Sequence, residues 1–326
     1  MNLRSLGEFG LINRIAEQVR ETPGLCCGIG DDAAALEPTA GYLQLLSSDM
    51  LLEEVHFDLE FTDPARLGRK SLAVNLSDIA AMGGRPRYFL LSLAIPPKLS
   101  LEFVDAFIGG MLELAAGFGA TLIGGDTCSS RKGLVISITV IGEQLPERVL
   151  YRRGAVPGDL ICVTGTLGDS ALGLAELRVG KRETPAVLRH LDPSPRCREG
   201  LLLAETGMVS AMIDVSDGLL ADLGHILELS GAGAEVELAS IPLSGYFRDQ
   251  AGRLVDDPMQ LALSGGEDYE LLFSLPPERY PRIERLMVEA GTPCTPIGKV
   301  TGCAGLKVVA ADGTPYRPRE SGYRHF

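Results

Sequence analysis

Apolar residues at Leu11, Ile12, Ile15 and Val19 recur at helical spacing and predict an amphipathic first helix. The period then changes. Residues 42–50, YLQLLSSDM, read as a strand ending in a polar turn. Residues 63–83 return to helical spacing, with Asp63 and Pro64 placed as cap and first position and Gly83-Gly84 as the stop. RYFLLSLAIP (87–96) is a strand of the buried kind, closed by Pro96-Pro97. A long helix from about Leu101 to Gly117 leads to a short strand, ATLIGGDT, and then to the β-branched strand GLVISITVIGE (133–143).

Around RRGAVPGD (152–159) glycine and proline fall between strand-like runs, and a domain boundary is expected near residues 145–155. The expected domains are residues 1–148 and 149–326. Beyond the boundary the pattern gives a strand at 159–165, a helix at 169–177 and a proline-interrupted connection at 183–196. A helix at 197–207, a strand at 210–218, a helix at 219–231 and a strand at 233–241 follow. LALSGGEDYELLFSLP (261–276) enters and leaves strand character around its Gly-Gly. This mixed order fits an α+β protein of two α/β sandwich domains, the second with a mixed sheet and helices, better than strict βαβ winding.

Composition narrows the function. The net charge is −13, from 30 basic and 43 acidic residues, which argues against a nucleic-acid or anionic-membrane partner. Of the basic residues 24 are arginine, suited to bidentate grips on phosphate. The seven cysteines form no C-x-x-C pair and read as small buried hydrophobes in a reducing compartment. No apolar run approaches the ~18–20 residues of a membrane span, so a cytoplasmic protein is expected.

GIGDDAA (28–34) opens like a dinucleotide-binding turn, yet its Asp31 and Asp32 would repel a phosphate. Asp31 reads as a cap of its own turn. Acids recur beside glycine or serine at Asp49, Asp78, Asp126, Asp214, Asp217 and Glu267-Asp268, and are expected at turns and strand ends. Each alone reads as a solvated acid or a helix cap, as Asp169 and Asp217-Gly218 do. Together they point to divalent cations, and the scarcity of histidine favours Mg²⁺ over zinc or iron. Asp32 then faces phosphate through a metal ion. Walker A, protein-kinase and G-x-S-x-G signatures are absent. A Rossmann dehydrogenase fits poorly, because no convincing helix follows GIGDDA.

GIGDDAA, SSDM…EVHF, KSLAVNLSDIAAMGGRP, LIGGDT, RRGAVPGD, VTGTLGDSALGL, HLDPSPR, IDVSDGLLADLGHI, LSGGEDYELLF and the terminal GYRHF resemble the thiamine-monophosphate kinase family. That family belongs to the aminoimidazole-ribonucleotide synthetase superfamily of ATP-binding proteins. The resemblance runs in order from the first helix to the last residue. It implies a homodimer whose N-terminal sheets pair across the two-fold. It also implies Mg²⁺-dependent, direct in-line transfer of the ATP γ-phosphoryl group to thiamine monophosphate, giving thiamine diphosphate and ADP.

Carried over by motif, Asp32, Ser47, Ser48, Asp49, Asp78, Asp126, Asp214 and Asp217 would surround the metal ions. Asp49, Asp126 and Asp217 would stand closest to the chemistry. Gly125, Asp126, Arg153 and Ser216 would meet ATP, and His56, Glu267 and Tyr323 the thiamine part. From the residues alone, His56 reads as a packed histidine, as do His190 and His225. The rival readings are a sister enzyme, such as aminoimidazole-ribonucleotide synthetase, selenophosphate synthetase or a hydrogenase-maturation ATPase, and a non-catalytic nucleotide-sensing dimer.

Overall fold

The computed structural model describes residues 3–20 and 22–323. The chain divides into two compact units, Met1–Ile79 with Gly84–Glu147, and Ala80–Gly83 with Arg148–Phe326.

The first unit opens with α1 (Leu3–Ala16), broken at Gly7, and a small antiparallel pair, β1 (Leu25–Cys27) and β2 (Ala35–Leu36). Then come β3 (Leu43–Leu52), α2 (Pro64–Ala81), β4 (Arg85–Ile95), α3 (Leu101–Phe118), β5 (Thr121–Ser129) and β6 (Val135–Gln144). The sheet order is β3-β6-β4-β5. Only β4 and β5 run parallel, and α3 makes the crossover between them. Asp63 caps α2 as its sequence promised, its Oδ1 accepting the Arg66 N–H at 2.9 Å. The helices α2 and α3 cross in near-backbone contact. A Cβ at Gly68 would lie 1.9 Å from the Phe107 carbonyl oxygen, and one at Gly110 2.2 Å from that of Ala65. Leu67, Leu72, Leu76, Phe89, Phe107, Met111 and Ile136 fill this core.

The expected polar turn at Ser47–Asp49 does not exist. There β3 stays paired, with Ser47, Ser48 and Asp49 opposite Val140, Thr139 and Ile138 of β6. The strand tolerates polar residues because much of it is open to solvent: Ser48 is exposed, and Ser47 and Asp49 are only partly buried. Likewise β5 runs through Asp126 to Ser129, and Asp78 sits within α2 rather than at a turn.

The second unit contains β7 (Leu160–Thr164), α4 (Asp169–Arg178), α5 (Pro185–Leu191), α6 (Cys197–Thr206), β8 (Ala211–Asp214) and α7 (Leu219–Ser230). These are followed by β9 (Gly233–Glu237), α8 (Gly245–Gln250), α9 (Pro258–Ser264), β10 (Leu271–Leu275), α10 (Tyr280–Ala290), β11 (Cys294–Thr301), β12 (Gly305–Val309) and β13 (Pro315–Tyr316). The mixed sheet has the order β13-β12-β9-β11-β7-β10-β8, parallel only between β9 and β12. Its core gathers Ile161, Val163, Ile213, Phe247 and Leu272.

Two expectations change here. The connection at 183–196 contains a helix, α5, because Thr184 caps it and Pro185 takes the first position, where proline is tolerated. Residues 261–264 are helical, the end of α9, which Pro258 opens in the same way. In both places proline begins the helix; at Pro185 its presence had argued against one.

Candidate functional site

In the first unit the alternation of β3 sorts its polar residues onto two faces. Ser47 Oγ donates to Asp78 of α2, and the Asp49 N–H donates to Asn75 Oδ1 at 3.1 Å. Asn75 and Asp78 are three residues apart, so one helix face presents both. Burial, and then the charge of Asp78, push the Asp49 carboxyl up to about 6. The Ser48 hydroxyl leaves this group. It bonds the Ile138 carbonyl at 3.1 Å and Thr139 Oγ1 at 3.0 Å instead. Its side chain lies on the other face of the strand from those of Ser47 and Asp49, as a period of two requires.

Gly125 and Asp126 lie on β5 opposite Leu91 and Ser92 of β4. Gly125 has φ 150°, and a Cβ there would sit 1.7 Å from the Leu91 carbonyl oxygen. The glycine thus has a structural reason in addition to any role at a nucleotide. Gly125→Ala is expected to destabilise the first unit by more than about 3 kcal/mol, read by thermal melting, because backbone must move to admit the methyl group. Asp32 is exposed, and Asp31 Oδ1 accepts its N–H at 2.9 Å, so Asp31 does cap its turn. His56 is half-buried and its Nδ1 accepts the Leu52 N–H at 3.1 Å, a local bond within the turn after β3.

In the second unit the loop after β8 is the centre of assembly. The cap of α7 comes from Asp222, which the sequence reading missed, and not from Asp217 or Gly218. Its buried Oδ2 accepts the N–H groups of Ser216 at 3.0 Å, Asp217 at 3.1 Å and Gly218 at 3.0 Å. The signal was there, an acid in the first helical turn. Burial, then the charges of Asp214 and Asp217, push the Asp222 carboxyl up to about 8. Asp169 is no cap either. Asp268 Oδ2 accepts the Gly168 N–H at 2.8 Å at the start of α4, while Asp169 Oδ2 accepts the Thr166 hydroxyl.

Distant segments close on this loop. The Glu267 N–H donates to the Ser216 carbonyl at 2.7 Å, the Tyr269 N–H to that of Val215 at 2.8 Å, and the Tyr323 N–H to that of Asp217 at 2.9 Å. Ser216, Asp217, Glu267 and Tyr323 are therefore brought together. Glu267 adopts φ 67° and Tyr269 φ 50°, left-handed conformations uncommon outside glycine. Tyr323 is 49% exposed. Arg152 and Arg153 are both exposed, and the Arg153 guanidinium lies 5.0 Å over the Tyr151 ring. Arg324, His325 and Phe326 of the terminal motif lie outside the described residues.

Among the described residues no three histidine, cysteine, aspartate or glutamate side chains group as a protein-only metal cage. The donors present are hard oxygens, and two of the carboxyls, Asp49 and Asp222, are held high by burial and then by neighbouring negative charge. That chemistry fits Mg²⁺, which takes one or two carboxylates and completes its shell with water and phosphate oxygens.

Comparison with known proteins gives a consistent picture. The family model of AIR synthase related proteins matches twice, its N-terminal domain at residues 30–144 and its C-terminal domain at 156–311. The thiamine-monophosphate kinase of Salmonella typhimurium is 42% identical, over 98% of each chain. The crystal structure of thiamine-monophosphate kinase from Stenotrophomonas maltophilia superposes with a TM-score of 0.84 at 39% identity, over 94% of this chain and 96% of that one. AaThiL complexed with AMPPCP and TMP superposes with a TM-score of 0.78 at 35% identity, over 100% of this chain and 99% of that one.

Proposed function

The chain belongs to the thiamine-monophosphate kinase family, and from that premise we propose how its residues divide the work of moving the ATP γ-phosphoryl group onto thiamine monophosphate. The observation that supports the assignment is the direct tie between the Ser216–Asp217 loop and Glu267, because it sets the loop assigned to phosphate beside the carboxylate assigned to the acceptor's cation. Ser216 and Arg153 bind ATP, with Gly125 and Asp126 beside them in role. Glu267 places a carboxylate against the positive thiazolium and Tyr323 stacks on the acceptor's rings, and His56 of the first unit is assigned to the same acceptor. Asp32, Asp49, Asp78 and Asp126 of the first unit, and Asp214 and Asp217 of the second, would hold Mg²⁺. The Ser48 hydroxyl is left out of that set, and Ser47 serves it through its bond to Asp78.

When bound, Mg²⁺ supplies positive charge against the repulsion between two phosphate groups. The protein's own part is placement. The acceptor phosphate is already a competent nucleophile near neutral pH, so no strong base is needed. Asp49 and Asp126 in the first unit, and Asp217 in the second, are the acids assigned to placing the reacting groups, and Arg153 adds a guanidinium to the donor phosphates. Transfer is direct, with no phosphoenzyme.

The working form is a homodimer joined through the β3 sheet. Its support is the face β3 turns away from its core, where Leu46 is 65% and Met50 55% exposed on an edge strand. Leu46→Glu with Met50→Glu is expected to halve the mass seen by light scattering. Cys162, Cys197 and Cys294 are buried as expected, whereas Cys26, Cys128 and Cys303 are exposed; their free thiols suit a reducing cytoplasm, and no described helix is long and apolar enough to cross a membrane.

The deciding assay is formation of thiamine diphosphate from ATP and thiamine monophosphate, with Mg²⁺ and with EDTA. Product that needs Mg²⁺ supports the reading. Mg²⁺-dependent ATP binding without product would move the function to a sister enzyme. Unphosphorylated thiamine is expected to react at least about 100-fold more slowly, since it leaves the phosphate-binding groups unpaired.

A further inference from the structure

Of the groups around Glu267, one has no part in the scheme above. His190, buried in the last turn of α5, places its Nδ1 3.1 Å from Glu267 Oε2 and 3.0 Å from Ser170 Oγ. A carboxylate only accepts, so the short approach to Glu267 sets the ring proton on Nδ1, with the Ser170 hydroxyl oxygen sharing it. The neighbouring Arg189 donates to the Asp268 carbonyl at 3.4 Å and to Glu270 Oε1 at 2.7 Å. The Asp268 carboxylate in turn accepts the N–H groups of Gly168 and Ser170. The end of α5 and the start of α4 therefore grip residues 267–270 from one side. The Ser216 and Val215 carbonyls hold the same segment by its backbone.

This explains how Glu267 and Tyr269 keep left-handed backbones. Such conformations persist where the surroundings over-determine them. The backbone bonds fix where Glu267 starts, but a glutamate side chain has three further torsions. His190 is a buried contact at the carboxylate end of that side chain.

We propose that His190 is a positioning residue for Glu267, holding its carboxylate in the orientation that receives the cationic ring of the acceptor. The inference rests on the reading that Glu267 faces thiamine monophosphate. It makes a buried histidine with no substrate contact a determinant of acceptor affinity, separate from ATP binding.

The test is steady-state kinetics on the full chain for His190→Phe, His190→Asn, Glu267→Gln and the double variant His190→Phe/Glu267→Gln. His190→Phe, which keeps a ring without the donor, is expected to raise KM for thiamine monophosphate about tenfold, with KM for ATP and kcat within about twofold. His190→Asn puts an amide N–H near the Nδ1 position and is expected to restore most of the loss. In the Glu267→Gln background the His190→Phe change is expected to add less than about twofold, because the positioned group is gone. Should His190→Phe fail to fold by circular dichroism, His190→Ala carries the same comparison. If Glu267→Gln raises KM for the acceptor but His190→Phe leaves it unchanged, or multiplies independently with it, the positioning role is overturned and the Glu267 reading stands. If Glu267→Gln itself leaves that KM unchanged, the Glu267 reading fails and takes this inference with it. A uniform fall in kcat with every KM altered would show a structural role only.

Discussion

Asp49→Asn is expected to lower kcat/KM for thiamine diphosphate formation by at least about 100-fold while making the metal-free protein more stable. The two effects share one cause. In the folded chain Asp49 is half-buried beside Asp78, and its carboxyl is pushed up to about 6 by burial and by that neighbour. Holding two negative charges there works against folding when no cation is bound. Asparagine keeps the shape of the side chain and removes the charge, and the Asp49 N–H keeps its bond to Asn75. The expected reading is a melting temperature in EDTA about 2 °C or more above that of the native chain. With Mg²⁺ present the order should reverse, since binding stabilises only the chain that still binds. A variant that loses activity and stability together in EDTA would mean that Asp49 is a structural acid, and the metal assignment would fall with it.

Glu270→Ala is expected to produce the largest loss of stability among the changes considered for the second unit. Glu270 is 0% exposed. Its Oε2 accepts the Arg196 Nε–H at 2.7 Å and the Thr164 hydroxyl at 2.7 Å, and its Oε1 accepts from Arg189 and Arg196. Truncation leaves two guanidinium groups facing a cavity without their counter-charge, a loss of roughly 3–5 kcal/mol for a buried pair. Unfolding in urea should show the midpoint fall with an unchanged slope. Replacing Glu270, Arg189 and Arg196 together by methionine should recover part of the loss, because no charge is then stranded. A single Glu270→Ala change within about 1 kcal/mol of the native chain would refute the role given to the network.

How far the sequence reveals such features depends on whether their cause is local. Asp63-Pro64 and Gly83-Gly84 announce α2 because capping acts over four residues, and the helix runs from Pro64 to Ala81 with Asp63 as its cap. The same signature at Thr184-Pro185 and Asp257-Pro258 escaped reading, since each helix has only seven residues and shows little periodicity. The acids were legible as a set but not as neighbours. That Ser216 meets Glu267, 51 positions away, follows from β10 lying beside β8, and strand order leaves no mark on either segment. His190 was read as an ordinary buried histidine, and by burial it is one. Only its distance to Glu267 gives it a further role.

The ten-residue strand β3 carries two programmes in one stretch of chain. Odd positions 47 and 49 meet α2, and even positions 46 and 50 carry the exposed apolar surface. A single inserted or deleted residue would exchange the two sets, turning carboxylate outward and leucine against acid. Viable length changes in this strand must therefore come in pairs. The acid-bearing face and the exposed apolar face are locked in phase, so that neither can drift in register without the other.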